Sequence, residues 1–353
     1  AQLTEFRDVE VEDLLGRDPV TPKTDLMTAN ITQKVVLVTG AGGSIGSELC
    51  RQIIKLKPTK LVLFERSEIA LYSIEKELGE YITNNTLNIQ LIPIMGSVQR
   101  VNRLETVMRT FGVQTIYHAA AYKHVPLVEH NVVEGVRNNV FGTYYVAKAA
   151  VNSCVDTFVL ISTDKAVRPT NIMGATKRMA EVLVQARNTQ SGVAFITVRF
   201  GNVLGSAGSV VPLFEKQIEE GGPVTVTHPD VTRFFMTISE ACQLIMQACV
   251  QGQGSEIFVL DMGEPIKISY LAKQLIRMAG LIPGREIEIV YTGLRPGEKL
   301  VEELFHHEEI LGKTLHQQIN LAESRVLNSD SVVNAVRLLT SKCQQSDTDA
   351  IEQ

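Results

Sequence analysis

Thr39-Gly40-Ala41-Gly42-Gly43-Ser44-Ile45-Gly46-Ser47 leaves the apolar run Lys34–Thr39 and enters an amphipathic segment, and this junction decides the fold. Gly40 lets the chain turn tightly after a strand, and Gly43 removes a side chain that would keep backbone N–H groups from a pyrophosphate. Gly46 lets the following helix pack close to the sheet. Ser44 and Ile45 open that helix, whose amino terminus offers partial positive charge to phosphates. Strand, glycines and helix in this order predict a dinucleotide-binding βαβ unit.

Outward from the junction, apolar runs of strand length alternate with stretches of helical period, the pattern of a parallel sheet. Lys34–Thr39, Lys60–Glu65, Asn88–Ile94, Thr115–His118, Thr157–Ser162 and Ala194–Phe200 read as strands. Helices are expected to start near Ser44, Ser67, Val101, Asn131 and Ile172. The prediction is an α/β, Rossmann-like, doubly wound sheet over 34–202, preceded by a polar arm over 1–33. The arm carries a short segment from Val9 to Leu15 and a Gly16-Arg17-Asp18-Pro19 turn signal. After Asn202 the alternation weakens, which predicts a smaller carboxyl-terminal lobe over 203–341 and a flexible tail over 342–353. Within the lobe, helices are expected over Val211–Glu220 and Ile238–Gln251 and a short strand at Val224–Thr227, followed by further elements over Ile257–Asp261, Ile268–Ala279 and Glu286–Tyr291.

Glu65 ends the second strand about twenty residues past the glycines, where a carboxylate can accept hydrogen bonds from an adenosine ribose. That favours NAD. Arg66 follows at once, and a guanidinium there can pair with a 2′-phosphate, so NADP stays open.

Bulk properties exclude several classes. The 353 residues are 44% hydrophobic and 21% charged, enough for a large core without disulfides. A net charge of -5 leaves no footprint for nucleic acid, so a phosphate-bearing ligand needs local donors. The scattered, odd-numbered cysteines Cys50, Cys154, Cys242, Cys249 and Cys343 contain no CxxC pair and fit a reducing compartment. No apolar stretch approaches the length of a membrane helix, and no secretory pattern opens the chain, so a cytoplasmic location without membrane contact is expected. His118, His124 and His130 recur at a spacing that does not align on a helix. His306-His307-Glu308-Glu309 offers adjacent rather than facing ligands, so no metal is expected.

Six motifs carry a family resemblance: the glycine stretch, His118-Ala119-Ala120-Ala121-Tyr122-Lys123-His124-Val125-Pro126, Asn139-Val140-Phe141-Gly142-Thr143, Ser162-Thr163-Asp164-Lys165, Arg199-Phe200-Gly201-Asn202-Val203 and Arg295-Pro296-Gly297-Glu298. Together they resemble the bacterial UDP-N-acetylglucosamine 4,6-dehydratases, extended short-chain dehydrogenases of glycan biosynthesis, from about Asp8 to Leu304. The resemblance implies UDP-N-acetylglucosamine as substrate and transient hydride transfer from sugar carbon 4 to the nicotinamide. Water is then lost across carbons 5 and 6, and the hydride returns to carbon 6. Ala119, Ala120, Ala121, Lys123 and Asn139 are expected at the cofactor, with Ser97 and Val98 near the adenine. Lys123 and His124 are expected at the substrate.

The wider superfamily uses Tyr-x-x-x-Lys, but here Met173 stands in the tyrosine's place, with Lys177 one helical turn later. Methionine neither takes nor gives a proton. The chemistry is therefore expected to run through Thr163 as a hydrogen bond to the 4-hydroxyl, Lys165 as base and Asp164 as acid, with Lys177 orienting the nicotinamide ribose. Arg199, Asn202, Arg233, Arg295 and Glu298 are expected at the sugar nucleotide, because arginine forks suit a diphosphate. A UDP-sugar 4-epimerase and a non-catalytic NAD-binding module are the rival readings. The opening Ala1-Gln2-Leu3 resembles the segment after a membrane region in long dehydratases, which would make this the cytoplasmic part of an inner-membrane protein. Outward faces at Val101–Phe111 and Asn131–Ser153 suit pairing into a homo-oligomer.

Overall fold

The computed structural model describes residues 15–16, 22–188, 192–252, 254–306, 309–322, 329–345, 348 and 351. Residues 9–14 and 17–19 of the segment Val9–Leu15 and the Gly16–Pro19 turn fall outside these residues, as do 307–308 of the His306–Glu309 run and half of the expected tail.

Six parallel strands, β1 (Val35–Thr39), β2 (Lys60–Glu65), β3 (Gln90–Met95), β4 (Thr115–His118), β5 (Thr157–Ile161) and β6 (Ala194–Arg199), lie in the order 3-2-1-4-5-6. β1, β4 and β5 are buried along their whole length, which is why they read as continuous apolar runs rather than as alternating ones. Helices α1 (Thr24–Thr28), α2 (Ser44–Lys55), α3 (Glu68–Asn84), α4 (Val101–Phe111), α5 (Val125–Glu129), α6 (Val132–Gly135), α7 (Gly142–Asn152) and α8 (Ile172–Asn188) account for most of the intervening chain. Leu37, Val62, Leu104, Met108, Phe158 and Phe195 meet in one core beneath the sheet.

The sheet has nine strands among the described residues, against six expected in the first two hundred. Ile257–Leu260 adds in parallel beside β6, and Ile319–Ala322 and Leu311–Lys313 follow antiparallel. Ile257–Leu260 is buried throughout because it pairs on both edges. Sequence order had assigned this strand to the second lobe. The expected lobe over 203–341 is accordingly interrupted: residues 241–261 and those after 302 group with the sheet, while 201–240 and 262–302 form the smaller unit.

The smaller unit has its own core, in which Phe214 and Ile218 of the helix Val210–Glu219 meet Leu271 and Leu275 of the helix Ile268–Met278. Val224–Val226 pairs with Ile289–Tyr291, and Thr232–Arg233 with Ile266–Lys267.

Two further differences concern helices. The stretch expected as one helix from Asn131 to Ser153 contains a π-helical turn over Val136–Phe141. The carboxyl-terminal stretch is helical over Ser329–Gln345, where fraying had been expected from Lys342. Val332 and Val336 of that helix pack with Val136, Val140, Phe141 and Leu183, so part of the face expected to pair subunits is covered within the chain. Among the described residues no helix is long and apolar enough to cross a membrane.

Candidate active site

The tips of β1, β2 and β4 enclose a cavity of about 500 Å³. Its wall includes Gly40, Gly43, Glu65, Arg66, Ser97, Val98, Ala119, Ala120 and Ala121, all expected at the cofactor. Gly40 has φ of 66°, in the left-handed region, and a Cβ there would stand 2.8 Å from the Ala120 backbone. A Cβ at Gly46 would stand 2.8 Å from the Gly40 carbonyl carbon, so α2 can begin where it does only without one. Gly43 caps α2, with Ser44 and Ile45 as its first residues. A wall of small residues and backbone at a helix amino terminus fits a dinucleotide pyrophosphate.

Glu65 does more than face the cavity. Its Oε2 accepts from the Gly42 N–H at 3.0 Å, and its Oε1 accepts from the Arg66 and Ser67 N–H groups at 2.7 and 2.9 Å. One carboxylate thus ties the glycine loop to the end of β2 and begins the turn into α3.

Behind the cavity, His118 is buried between Thr39, whose Oγ1 lies 2.7 Å from Nδ1, and Thr143, whose Oγ1 lies 3.0 Å from Nε2. Thr143 donates to the Asn139 carbonyl at 2.7 Å, so its oxygen accepts from Nε2–H and Nδ1 accepts from Thr39. Burial, followed by the nearby Lys177 charge, pushes the His118 pKa down to about 3, which keeps the ring neutral.

Asn139, expected to touch the cofactor, is buried and lies outside the cavity wall. Its Oδ1 accepts from the Tyr122 N–H at 2.8 Å, and its Nδ2 donates to the Tyr122 carbonyl at 2.9 Å and to Thr176 at 3.0 Å. The wall residue is instead Asn138. The wide π turn holds both side chains, and Asn138 donates to Asn139 at 3.2 Å.

At the end of β5 the chain closes into a 3₁₀ turn, Asp164–Ala166. Thr163 donates to Asp164 Oδ1 at 2.9 Å, and Lys165 Nζ lies 3.0 Å from the same oxygen. Thr163, Asp164 and Lys165 thus converge on one carboxylate oxygen. Asp164 is 0% exposed, and its Oδ2 has no hydrogen-bond partner among the described residues.

Met173 and Lys177 lie one turn apart on α8, both buried. Lys177 donates to the Ile161 carbonyl at 2.6 Å, and burial pushes its pKa down to about 8 despite Glu181. Lys123 lies on the loop after β4, where burial and then the Lys165 charge lower its pKa. The His124 pKa is lowered by partial desolvation of a largely exposed ring and then by the Lys123 charge.

Arg199 overturns an expectation. It is 1% exposed and makes a bidentate pair with Glu181 at 2.7 and 2.8 Å, while its third nitrogen meets Glu309 at 2.9 Å. Glu181 also accepts from Ser162 at 2.6 Å and from Arg178 at 2.9 Å. A guanidinium with every nitrogen committed to buried carboxylates has no fork left for a diphosphate.

In the smaller unit, two nitrogens of Arg233 are also taken up within the protein. It donates to Glu298 Oε1 at 3.0 Å and to the Thr232 carbonyl at 2.7 Å, and it lies 4.0 Å from Glu302. Glu298 also accepts from Thr227 at 3.0 Å and from the Arg295 N–H at 3.1 Å, so it shapes the turn that presents Arg295. Of the three arginines expected at the sugar nucleotide, Arg295 alone is exposed. Asn202 pairs through its backbone with Phe234.

Residues that sequence reasoning passed over are Tyr122, Asn138, Ser67, Gly96 and Glu181. Tyr122 sat inside a quoted motif and was audible there, whereas Glu181 is an unremarkable acid in an amphipathic helix.

The family model described as polysaccharide biosynthesis protein matches residues 36–324. The capsular polysaccharide biosynthesis protein CapD of Staphylococcus aureus is 52% identical over 319 residues, covering 90% of this chain and 53% of that protein. The chain spans about half the length of the first curated relatives it matches. A UDP-glucose 4-epimerase of Rickettsia rickettsii is 35% identical over 280 residues, 78% of this chain and 79% of the relative. Among solved structures, Pen from Bacillus thuringiensis superposes with a TM-score of 0.75 at 32% identity, covering 87% of this chain and 99% of that one. Sequence and fold agree that the chain belongs to the polysaccharide biosynthesis protein family.

Proposed function

We propose that this chain is a UDP-N-acetylglucosamine 4,6-dehydratase that uses NAD and supplies a UDP-4-keto-6-deoxy sugar to bacterial glycan synthesis. One observation carries the proposal: Thr163, Asp164 and Lys165 share a single carboxylate oxygen at the mouth of β5, while Met173 occupies the position of the superfamily's tyrosine. A bound nicotinamide would supply reversible hydride transfer, and Gly40, Gly43, Glu65 and Ala120 of the cavity wall would hold its dinucleotide. NAD is the choice that Glu65 favours.

The chain's own residues do the rest. Elimination needs a neutral amine and a protonated carboxyl, which hold the same number of protons as an ammonium-carboxylate pair. One proton passed across the 3.0 Å between Lys165 Nζ and Asp164 Oδ1 would convert the second pair into the first. Lys165 then takes the carbon 5 proton, made acidic by the carbon 4 ketone, and Asp164 gives its proton to the departing carbon 6 hydroxyl. Lys165 returns its proton to carbon 5; the 4-hydroxyl proton leaves to solvent and one from solvent restores Asp164, so the protons balance over the cycle. Thr163 is the hydrogen bond to that hydroxyl. The free oxygen of Asp164 is covered in this structure, so the acid role requires the bound hexose to displace what covers it.

Incubation with UDP-N-acetylglucosamine and NAD, followed by mass spectrometry, tests the proposal. A product one water lighter is expected, and an unchanged mass would end it. The 35% identity to a UDP-glucose 4-epimerase supports a second reading, in which the mass stays constant and NMR shows inversion at carbon 4.

A further inference from the structure

We propose that Arg66 and Tyr122 form a latch across the adenosine end of the dinucleotide cavity and hold the cofactor there between turnovers. The latch rests on the dinucleotide reading of that cavity and does not depend on which sugar reaction follows.

Topology supplies the first support. β1 lies between β2 and β4 in the sheet. Arg66 follows the end of β2, and Tyr122 lies on the loop after β4. The Arg66 guanidinium donates to the Tyr122 hydroxyl. A bond between groups beyond the strands on either side of β1 must pass over the tip of β1, where the glycine loop would hold a pyrophosphate. Both residues line the cavity, so a dinucleotide seated against Gly40 and Gly43 lies beneath the bridge.

Anchoring is the second. Asn139 grips the Tyr122 backbone through both its N–H and its carbonyl, and Thr176 on α8 holds Asn139 in turn. On the other side, Glu65 accepts the Arg66 N–H at 2.7 Å while also holding Gly42. Both ends are therefore fixed at the backbone, and only two side chains need to part for the cavity to open. The phenol keeps its own proton and the guanidinium its remaining N–H groups, so the bridge can also donate to a ligand. In the proposed dehydration the hydride returns to the sugar, so the cofactor ends each cycle as it began and gains nothing by leaving.

Release of NADH from the purified chain, followed by fluorescence in a stopped-flow mixer, tests the latch. Tyr122→Phe removes one hydroxyl, and Arg66→Ala removes the other half of the bridge. Each is expected to speed release about tenfold, the scale of one hydrogen bond to a charged group. The double variant should release no faster than the faster single one, because both changes break the same bond. Unchanged release in Tyr122→Phe, rate increases that multiply in the double variant, or a wild-type chain that binds no dinucleotide would each overturn the latch. Thermal unfolding of every variant accompanies the kinetics. If Arg66→Ala is unfolded, Arg66→Gln is measured in its place with the same expectation. A chain with latch kinetics but no water loss from UDP-N-acetylglucosamine would sink the dehydratase reading and leave the latch standing.

Discussion

The glycine-lined wall at the tips of β1, β2 and β4 and the charged tips of β5 and β6 lie along one edge of the same sheet, yet they offer ligands opposite things. Around the glycine loop the wall presents backbone, small side chains and a helix amino terminus, and its charged members, Glu65 and Arg66, stand at the end of β2. The β5 and β6 tips carry carboxylates, ammonium groups and a guanidinium, and nearly all of them are turned toward one another. A charged residue at the carboxyl edge of a sheet is therefore weak evidence for a ligand until its partners are known. Lys165 and Arg199 look alike in sequence, but one shares a single oxygen of Asp164 while the other is sealed between Glu181 and Glu309.

The largest expected effect separates these two kinds of charge. Lys165→Ala and Asp164→Asn should each cut dehydration by about 10² to 10⁴-fold, the range of a lost general base or acid. Dinucleotide titration of the same variants should stay close to wild type, and near-normal turnover in both would merge the two regions again.

Arg199→Ala should act on stability. Removing one member of a buried ion network strands its partners and costs about 3–5 kcal/mol. Urea unfolding reads this directly, and a variant as stable as wild type would mean that Glu181 and Glu309 do not need the guanidinium.

The histidine behind the wall gives the next effect. His118 is held at a pKa of about 3, below the ordinary value of 6.5, so its contribution is fully present above about pH 6.5. The contribution is lost as pH falls toward 3, because the unfolded chain binds the proton first. Between pH 6.5 and 4, stability of the wild type should fall more steeply than that of His118→Gln. Equal slopes would show that the ring is not held neutral.

Arg295→Ala is expected to be the mildest of the four, weakening UDP binding about tenfold, as for one charge-assisted hydrogen bond. Calorimetry with UDP measures it. Unchanged affinity would remove the exposed arginine as a phosphate donor and leave the smaller unit without one from the expected set.

The wall was legible because it depends on local rules. Glycine spacing, a strand before and a helix after are properties of nearby residues, and Gly40, Gly46 and Glu65 carry them in sequence. That Asn138 lines the cavity while Asn139 is buried outside its wall was not legible, because a π turn has no clear signature in Val136–Phe141. Ile257–Leu260 was assigned to the wrong unit because an apolar strand reads the same whichever sheet it joins. The pairing partners of that strand, β6 and Ile319–Ala322, lie tens of positions away.

By itself the sequence determined the strand and helix periods, the tight turn into α2 and the set of residue types available for chemistry, since short-range sterics and hydrophobic patterning act within a few residues. Only the tertiary structure decided which charges are spent on one another, which asparagine faces the cavity and that Tyr122 reaches Arg66. Each of those outcomes depends on distances between segments far apart in the chain, set by how the sheet twists and its helices pack, and no local pattern encodes them.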